Sequence, residues 1–537
     1  MKRLLLGASA LTLLGGFAGP AYAEFTLHIL HINDFHSRFD PITDTDSNCD
    51  EETDAAGECF GGIGRLKTVI DDTRGKYEAE DGNVLLLSAG DNFQGSLYYT
   101  TYKSKVVSDF FNQMGFDVVA TGNHEFDDGP EEFLRFIEAA EFPIIGGNFD
   151  VTRDDNLRGK IKGSIVLDVG GEKIGIIGAT AEDTPEIAAP GPDIEFTDVI
   201  QYVRGASEAL DAAGVNKIIL LSHIGYGMDL DVAASLPLVD VIVGGHSHTL
   251  LSNTAEGAAG PYPTMVTNPE GVEVPVVQAN QYGKYLGDIA ITWDDDGVVL
   301  SAEGEPFLID ASVSHNEDFQ AQLAELAAPV EEAMGVVIGT TTEAIEGSRE
   351  VCRVQECAMG NLLADAILDR VADQGVTIAF QNGGGIRASI DPGEITVGEV
   401  ITVLPFSNTL ATVQISGADV IDALENGVSD VENVAGRFPQ VAGLKYSYTL
   451  ANPPGDRVSD VLVKGEGDEW VPIDEEATYT IVTNNYVRGG GDGYGTFAEG
   501  EKPYDFGPPL EQVVADYIAK LGGEYTPYTD GRITIIE

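Results

Sequence analysis

The chain has 537 residues, and its 88 Asp and Glu outnumber its 30 Lys and Arg, which gives a net charge of −58 at pH 7. This charge excludes a protein that coats nucleic acid or an anionic membrane, because both rely on clustered Lys and Arg to neutralise phosphates. The hydrophobic content of 43% excludes a disordered chain, and at roughly 150 residues per domain the length predicts two to four domains.

The first 23 residues have the layout of a secretory signal peptide. Lys2 and Arg3 precede the apolar run Leu4–Phe17, and the Ala-Tyr-Ala sequence at 21–23 is typical of a cleavage site. A membrane anchor is the alternative, but the apolar run is short for a bilayer span. We therefore expect a periplasmic or secreted protein with no transmembrane segment in the mature chain.

The four cysteines form two close pairs, Cys49 with Cys59 and Cys352 with Cys357. This spacing suits two disulfides that each close a short loop in an oxidising compartment. A zinc site is the alternative, which the long separation of the two pairs and the lack of a Cys-x-x-Cys motif disfavour.

The segment 44–58 is acidic and lies between the first two cysteines. Its Asp-x-Asp-x-Asn opening is spaced like the first ligands of an EF-hand, but Cys49 and Ala55 replace the Gly and Glu that such a loop requires. We interpret the segment as an acidic surface loop, and weak calcium binding is the alternative.

Short apolar runs alternate with polar or helical stretches from Phe25 to Asp310. Apolar runs bounded by turns predict strands that are buried on both faces, and the amphipathic stretches 64–74 and 130–140 predict helices between them. The predicted strands are 27–32, 84–87, 118–120, 174–177, 218–221, 241–243 and 274–277. This alternation is typical of a layered α/β architecture.

A charged, Ala-rich stretch at 314–333 predicts a helix between two domains. We expect the first domain at 24–313, the linker at 314–336 and the second domain at 337–537.

The second domain restarts the alternation of helices and strands. A helix is predicted at 360–373 and a strand at 376–380, which leads into the glycine-rich loop at 381–387. A second glycine-rich loop lies at 484–494.

Histidines cluster at the ends of the predicted strands. The chain has eight, and five of them follow just after an apolar run. Ligands of open α/β sheets bind beyond the carboxyl ends of the strands, so these separate ends are expected to converge. The candidate metal ligands at these ends are Asp34, His36, Asp91, Asn123, His223, His246 and His248.

The chemistry of these side chains indicates a site for divalent metal ions. Carboxylate, imidazole and amide donors together favour Zn, Mn, Fe or Co over all-oxygen or thiolate sites. Seven candidates exceed what one tetrahedral ion needs and suffice for two ions that support a phosphoryl transfer. A structural role is the alternative for any single histidine, and we prefer that role for His28, His31 and His315.

Five motifs, in this order, resemble the calcineurin-like metallophosphoesterases. They are Asp-x-His at 34–36, Gly-Asp-x-x-Gln-Gly at 90–95, Gly-Asn-His-Glu-Phe-Asp at 122–127, Ser-His at 222–223 and Gly-His-Ser-His at 245–248. The second half is similar to the 5′-nucleotidase branch in Gly-Asn-Leu at 360–362, Asn-Gly-Gly-Gly-Ile-Arg at 382–387, Leu-Pro-Phe at 404–406 and Gly-Asp-Gly at 491–493. The resemblance implies a four-layer α/β/β/α domain with a dinuclear metal site and a smaller α/β nucleotide-binding domain.

The resemblance also implies a role for each candidate. Two divalent ions (Zn, Mn, Co or Mg) would be held, one by Asp34, His36, Asp91 and His248, the other by Asp91, Asn123, His223 and His246. Some relatives have Gln or Asn in place of His248. His124 would stabilise charge on the transferring phosphoryl group or protonate the leaving oxygen, and Asp127 would orient its imidazole. Glu125 is interpreted as structural.

The second domain would bind the nucleotide. The resemblance implies that Arg353 and Arg387 bind phosphate through charge-assisted hydrogen bonds. Asn382 would hold the ribose or an edge of the base, and Asp492 would accept hydrogen bonds from the ribose hydroxyls. Phe406 and Tyr486 would sandwich the base, although many relatives have Phe where this chain has Tyr486.

The function that the resemblance predicts is a secreted two-metal 5′-nucleotidase, in which rotation of the second domain carries the nucleotide to the metals. The alternatives on this scaffold are a UDP-sugar or dinucleotide pyrophosphatase, a 2′,3′-cyclic nucleotide phosphodiesterase with 3′-nucleotidase activity, or an enzyme that acts on protein-bound thiosulfate. Phe406, Tyr486 and Asp492 favour a nucleotide over thiosulfate. A nucleotide receptor with an inactive phosphatase domain is the alternative from another class, and the complete set of candidates disfavours it.

Overall fold

The computed structural model describes residues 24–43, 49, 51–404, 406, 408–465, 469–505 and 507–536. The predicted signal peptide at 1–23 and the Asp-x-Asp-x-Asn opening at 44–48 lie outside the described residues. Within the described part of the chain, no helix has the length and apolar character needed to cross a membrane.

The first domain contains a seven-stranded sheet whose central strands are parallel. In spatial order its strands are Val299–Gly304, Tyr285–Trp293, Phe25–Ile32, Asn83–Ser88, Val118–Ala120 and Ile144–Ile145, and Phe307–Leu308 also pairs with Tyr285–Trp293. The four strands from Phe25–Ile32 to Ile144–Ile145 are parallel to one another. Their carboxyl ends therefore lie along one edge of the sheet.

A second, six-stranded sheet lies against the first. Its strands, in spatial order, are Thr264–Thr267, Glu273–Val277, Val241–Val243, Lys217–His223, Glu172–Thr180 and Ser164–Val169. Leu27 and Leu87 of the first sheet share one buried cluster with Ile176 and Leu221 of the second. Each of the seven strands predicted from apolar runs in this domain lies within an observed strand.

Helices cover the outer face of each sheet. They are Glu51–Ala56, Ile63–Ala79, Leu97–Tyr102, Ser104–Met114, Gly129–Ala139, Thr184–Ile187, Val199–Ala212 and Tyr226–Ser235. Leu30 and Leu86 share one buried cluster with helix residues such as Phe110, whereas Leu220 joins Val203 in another. The order of layers is helix, sheet, sheet, helix, as the resemblance implied.

The predicted linker helix spans Glu317–Met334. It begins three residues later than predicted, and Phe319 and Leu323 are buried in the core of the first domain. The ring of Phe319 lies 5.1 Å from that of Phe110 between centroids. This helix thus packs on the core of the first domain, and its last residue, Met334, also lies against Gly398 of the second. Only Gly335 and Val336 separate it from the strand Val337–Thr341.

The second domain is built on a five-stranded sheet. Its strands, in spatial order, are Pro439–Ala442, Ile378–Asn382, Thr478–Asn484, Leu410–Ser416 and Glu501–Tyr504. Ala358–Arg370, Val397–Val403 and Leu510–Leu521 cover one face. The strand predicted at 376–380 lies two residues later, and the helix predicted at 360–373 ends at Arg370.

Smaller elements complete the second domain. Gly417–Gly427 and a four-stranded sheet cover the other face of the five-stranded sheet. The strands of the four-stranded sheet, in spatial order, are Trp470–Pro472, Val458–Lys464, Leu444–Tyr448 and Ile533–Ile535. A three-stranded sheet consists of Gly393–Thr396, Val337–Thr341 and Glu524–Tyr525. The short helices are Arg349–Cys352, Asn485–Arg488 and Gly495–Ala498.

The cysteine pairs are the two disulfides expected from the sequence. Cys49 is bonded to Cys59, and Cys352 is bonded to Cys357. The second disulfide closes a tight loop that contains Arg353, so it fixes the backbone on both sides of this candidate phosphate ligand.

Candidate active site

The seven candidate metal ligands meet at one edge of the two sheets. Asp34 and His36 follow the strand Phe25–Ile32, Asp91 follows Asn83–Ser88, and Asn123 follows Val118–Ala120. On the second sheet, His223 ends one strand, and His246 and His248 follow its parallel neighbour Val241–Val243. Because the carboxyl ends of both sheets lie at the same edge, side chains more than 200 residues apart in the sequence, such as Asp34 and His248, come into contact.

The ligand atoms form two adjacent groups. In the first, the Nε2 of His248 lies 3.2 Å from Asp34 Oδ1 and 3.2 Å from His36 Nε2. In the second, the Nε2 of His223 lies 2.9 Å from Asp91 Oδ2, and His246 completes the group. Within each group the ligand atoms lie within 4.8 Å of one another.

Asp91 and Asn123 lie close to the histidines of these groups. Asp91 Oδ2 lies 3.9 Å from His36 Nε2 as well as 2.9 Å from His223 Nε2, so this carboxylate stands between the two groups. The Oδ1 of Asn123 lies 2.9 Å from His246 Nδ1 and 3.2 Å from His223 Nε2. All seven side chains of the sequence-based proposal are therefore brought together.

The backbone at this site is held in a conformation that side chains disfavour. Five of the seven candidates have positive φ, with values of 50° at Asp34, 47° at His36, 52° at Asp91, 77° at His246 and 53° at His248. A non-glycine residue in the left-handed region costs on the order of 1–3 kcal/mol, and such residues cluster at functional sites. The surrounding fold thus stabilises five strained residues, and all five are candidate metal ligands of the same site.

The buried carboxylates of the site shift the pKa values of the imidazoles around them, and the imidazoles shift those of the carboxylates. Burial raises the pKa of Asp91, but the imidazoles of His223 and His124 hold it well below its usual range. Burial lowers the pKa of His223, but the carboxylates of Asp91 and Asp34 outweigh burial and raise it to about 9. Two buried carboxylates surrounded by imidazoles are a donor set that fits divalent transition metals.

His124 forms a hydrogen-bonded pair with Asp127. Its Nδ1 lies 2.6 Å from Asp127 Oδ2, and its backbone N–H donates to Asp91 Oδ1 at 2.9 Å. Burial lowers the pKa of His124, but the charges of Asp127 and Asp91 outweigh it and raise the pKa to about 10. A protonated imidazole next to the metal ligands can donate a hydrogen bond or a proton to a bound phosphate ester.

A cavity of about 1520 Å³ lies between the two domains. From the first domain it is lined by His36, His124, Asp127, His246 and His248. From the second domain it is lined by all six candidate substrate residues, Arg353, Asn382, Arg387, Phe406, Tyr486 and Asp492. Asp34, Asp91, Asn123 and His223 are fully buried beneath the wall on the first-domain side.

The second-domain wall carries neighbouring arginines and an aromatic ring. Burial and the charges of Arg349 and Arg387 lower the pKa of Arg353, and its buried Nε has no hydrogen-bond partner among the described residues. The guanidinium of Arg387 lies 5.0 Å from the centre of the Phe406 ring. Clustered guanidiniums of this kind suit a phosphate.

A network of polar side chains orients Asp492. Its carboxylate accepts hydrogen bonds from Asn382 Nδ2 at 2.7 Å and from the Tyr486 hydroxyl at 3.1 Å. The ring of Tyr486 packs on Gly491, where a Cβ would meet ring atoms at 2.5 Å. Tyr486 therefore contributes a hydrogen bond that a Phe at this position would lack.

The cavity also contains residues that the sequence did not reveal. Arg38 is buried with its guanidinium 4.7 Å from the centre of the Tyr282 ring, and that ring meets the edges of His36 and His248. In the sequence, the only indication of a role for Arg38 is that it lies two residues after His36. Tyr282 belongs to none of the ligand-bearing motifs in the sequence, so only the fold identifies it.

The three histidines interpreted as structural have other contacts. His28 stacks on Tyr77 with centroids 3.6 Å apart, and His31 Nε2 lies 2.8 Å from the Tyr262 hydroxyl. His315 lies near Asp54, with 3.5 Å between Nε2 and Oδ2.

Comparisons with known proteins place the chain in a family. The family model "Calcineurin-like phosphoesterase" matches residues 27–250, and "5′-nucleotidase, C-terminal domain" matches residues 337–499. The chain is 36% identical over 548 residues to 5′-nucleotidase of Homo sapiens, covering 98% of this chain and 94% of that one. It is 35% identical over 549 residues to a trifunctional nucleotide phosphoesterase protein of Bacillus subtilis, covering 96% of this chain but only 35% of that one.

Two solved structures resemble both domains together. The 5′-nucleotidase precursor of Thermus thermophilus is 42% identical with a TM-score of 0.61, over 96% of this chain and 100% of that one. The NAD nucleotidase of Haemophilus influenzae is 28% identical with a TM-score of 0.78, over 95% of this chain and 99% of that one. The chain therefore belongs to the 5′-nucleotidase family and is a metal-dependent phosphoester hydrolase that acts on nucleotides.

Proposed function

We propose that this protein is an exported, dinuclear-metal 5′-nucleotidase that converts nucleoside 5′-monophosphates to nucleoside and phosphate. One observation carries the proposal. A single cavity has two groups of metal-ligand side chains on one wall and an arginine, aromatic and aspartate site on the other. A nucleotide that spans the cavity would present its phosphate to the metal groups.

The two metal groups would each hold one ion. Asp34, His36 and His248 would bind the first ion, and Asn123, His223 and His246 the second, with Asp91 shared, since its carboxylate lies between the two groups. Divalent cations bound there would supply activation of the attacking water and neutralisation of the phosphate charge. Zn, Mn, Co and Mg are the candidate ions.

His124 would act on the leaving side of the reaction. The charge of Asp127, which accepts a hydrogen bond from Nδ1, outweighs burial and raises the pKa of this imidazole. The opposite nitrogen, Nε2, is directed toward the metal ligands, 4.0 Å from Asp91 Oδ2. From there it would donate a hydrogen bond to the phosphoryl group or a proton to the 5′ oxygen.

The second domain would select and orient the nucleotide. Arg353 and Arg387 would bind phosphate oxygens, and Asp492 would accept from the ribose hydroxyls in the orientation set by Asn382 and Tyr486. Phe406 and Tyr486 would hold the base by stacking.

We also propose the domain limits and the place of domain motion. The metal domain would be 24–313, the connecting segment 314–336 and the nucleotide domain 337–537. Because the helix Glu317–Met334 packs in the core of the first domain, rotation of the second domain would occur at Gly335 and Val336. Export is supported by the signal-peptide pattern and by the two disulfides.

A dinucleotide or nucleotide-sugar pyrophosphate is the second candidate substrate. The cavity of about 1520 Å³ exceeds the common range for small-molecule sites, about 300–1,000 Å³, and one structural relative is an NAD nucleotidase. Both substrate classes would place a phosphate at the same metals.

A substrate-by-metal matrix on the chain from residue 24 tests the proposal. AMP, NAD, UDP-glucose and 2′,3′-cyclic AMP would be assayed with Mn, Co, Zn or Mg, with and without EDTA. We expect phosphate release from AMP to be fastest and to stop on exhaustive chelation. Activity that survives chelation contradicts the metal requirement, and a preference for NAD or UDP-glucose selects the second candidate.

A further inference from the structure

Glu125 is a buried carboxylate that the proposed reaction does not use. It lies between the candidate catalytic residues His124 and Asp127 in the short 3-10 helix His124–Phe126. Its side chain is only 1% exposed. A carboxylate in such a place is expensive to bury unless its oxygens accept several hydrogen bonds.

The oxygens of Glu125 join two separate loops. Oε2 accepts from the backbone N–H of Gly122 at 2.6 Å and of Asp91 at 3.1 Å. Oε1 accepts from the backbone N–H of Asn92 at 2.8 Å and from its side-chain Nδ2 at 3.3 Å. One side chain thus binds four donors, from the loop after the strand Asn83–Ser88 and from its own loop after Val118–Ala120.

These two loops are in direct backbone contact. A Cβ added at Gly122 would lie 2.2 Å from Asp91 Oδ1 and 2.4 Å from Asp91 N, and one added at Gly90 would lie 2.7 Å from Gly122 N. Asp91 has a φ of 52°, in the left-handed region, which costs a non-glycine residue on the order of 1–3 kcal/mol unless its surroundings stabilise it. The hydrogen bonds of Glu125 supply that stabilisation at Asp91 and at the residue that follows it.

The two loops carry the shared ligand Asp91 and the ligand Asn123. We propose that Glu125 is a positioning residue that fixes the separation of these two loops and thereby the spacing of the two metal ions. The inference rests on the proposed dinuclear site. It predicts that loosening Glu125 disturbs both ions together, because Asp91 is the ligand that the two ions are proposed to share.

Binding of Mn²⁺ to the metal-free protein tests this role without an activity assay. Isothermal titration gives the affinity and the number of ions, and electron paramagnetic resonance reports the exchange coupling of a Mn pair, which depends on their spacing. Glu125→Gln keeps the size but not the two acceptor oxygens, and Glu125→Asp keeps the charge but is too short to reach both loops. We expect each to weaken Mn²⁺ binding about 10- to 100-fold and to change the coupled spectrum.

Glu132→Gln is the matched control. Glu132 is also buried, with 7% exposure, and accepts from Ser104 N at 3.1 Å and from Ser104 Oγ at 2.5 Å. We expect this variant to bind two Mn²⁺ ions as the wild type does, even if its melting temperature falls. Asn92→Ala, which removes one of the four donors, should weaken Mn²⁺ binding by roughly threefold and tests the role if the Glu125 variants do not fold.

The outcomes separate this inference from the proposed function. Wild-type protein that binds fewer than two ions contradicts both. Wild-type protein that binds two ions, together with unchanged affinity and coupling in Glu125→Gln, overturns the positioning role alone. Normal binding in Glu125→Asp but not in Glu125→Gln would show that the charge of Glu125 matters rather than its reach, and would also overturn it.

Discussion

Asp127 is expected to control catalysis through His124. Its Oδ2 lies 2.6 Å from His124 Nδ1, and Asp127→Asn removes its charge while keeping its size. A hydrogen bond to a charged group contributes about 1.5–3 kcal/mol, and each 1.36 kcal/mol changes a rate about tenfold. We therefore expect kcat for AMP hydrolysis to fall by about 10- to 150-fold. His124→Ala removes the imidazole itself and should cost about 10²- to 10⁴-fold.

The assay is the initial rate of phosphate release from AMP at saturating substrate, with metal content measured on the same samples. Asp128→Asn is the control, because the neighbouring Asp128 accepts from the Tyr99 hydroxyl at 2.9 Å and from Lys103 Nζ at 3.2 Å. We expect it to retain nearly full kcat. Because Asp127 is expected to act through His124, the variant that combines Asp127→Asn with His124→Ala should have the same kcat as His124→Ala alone. The reasoning is refuted if Asp127→Asn matches Asp128→Asn, or if the double variant is much slower than His124→Ala.

Three further predictions follow from the charges of the molecule. Arg387→Lys loses the planar fork and the stacking on Phe406, so KM for AMP should rise roughly tenfold; an equal rise in the control Arg370→Lys contradicts a specific role. Burial raises the pKa of Asp240 from 3.8 to about 8, although the N–H of Ile218 donates to it. The folded protein therefore binds the extra proton between these two pKa values, so the free energy of unfolding falls as pH rises through this range. Asp240→Asn has no carboxylate to ionise, so its melting temperature relative to that of the wild type should rise from about pH 5 to about pH 8. A difference between the two proteins that does not depend on pH would refute the raised pKa of Asp240. At a net charge of −58, raising NaCl from about 0.02 to about 0.2 M should strengthen AMP binding or leave it unchanged, and a steep loss of affinity by calorimetry would contradict this.

Much of the fold could be predicted because buried strands have a local signal. Runs such as Val118–Ala120 and Val241–Val243 are apolar at every position, since both of their faces are covered, and the observed strands have these same limits. The helix that begins near Pro130 and the linker helix were also visible as patterns. Their ends were displaced by one to three residues, because hydrogen bonds and packing rather than composition decide where a helix begins.

Other features depended on contacts between distant residues. A helix was predicted between the domains, but its packing was not, because Phe319 and Leu323 are buried against residues of the first domain that lie far away in the sequence. Positive φ at Asp34 and His248 leaves no trace in composition, because the neighbouring turns rather than the residue types impose it. The hydrogen bonds of Glu125 could not be predicted, because three of its four donors lie in a loop more than 30 residues away.

Residue types and their spacing established which chemical groups this protein carries and where along the chain they occur. These are local properties, and they were enough to propose seven metal ligands and a nucleotide site. The folded molecule was needed to show that these groups face one another across a single cavity, that Tyr486 binds Asp492, and that Glu125 joins two ligand loops. Distances between side chains follow from how two sheets and two domains pack, and packing is a property of the whole chain.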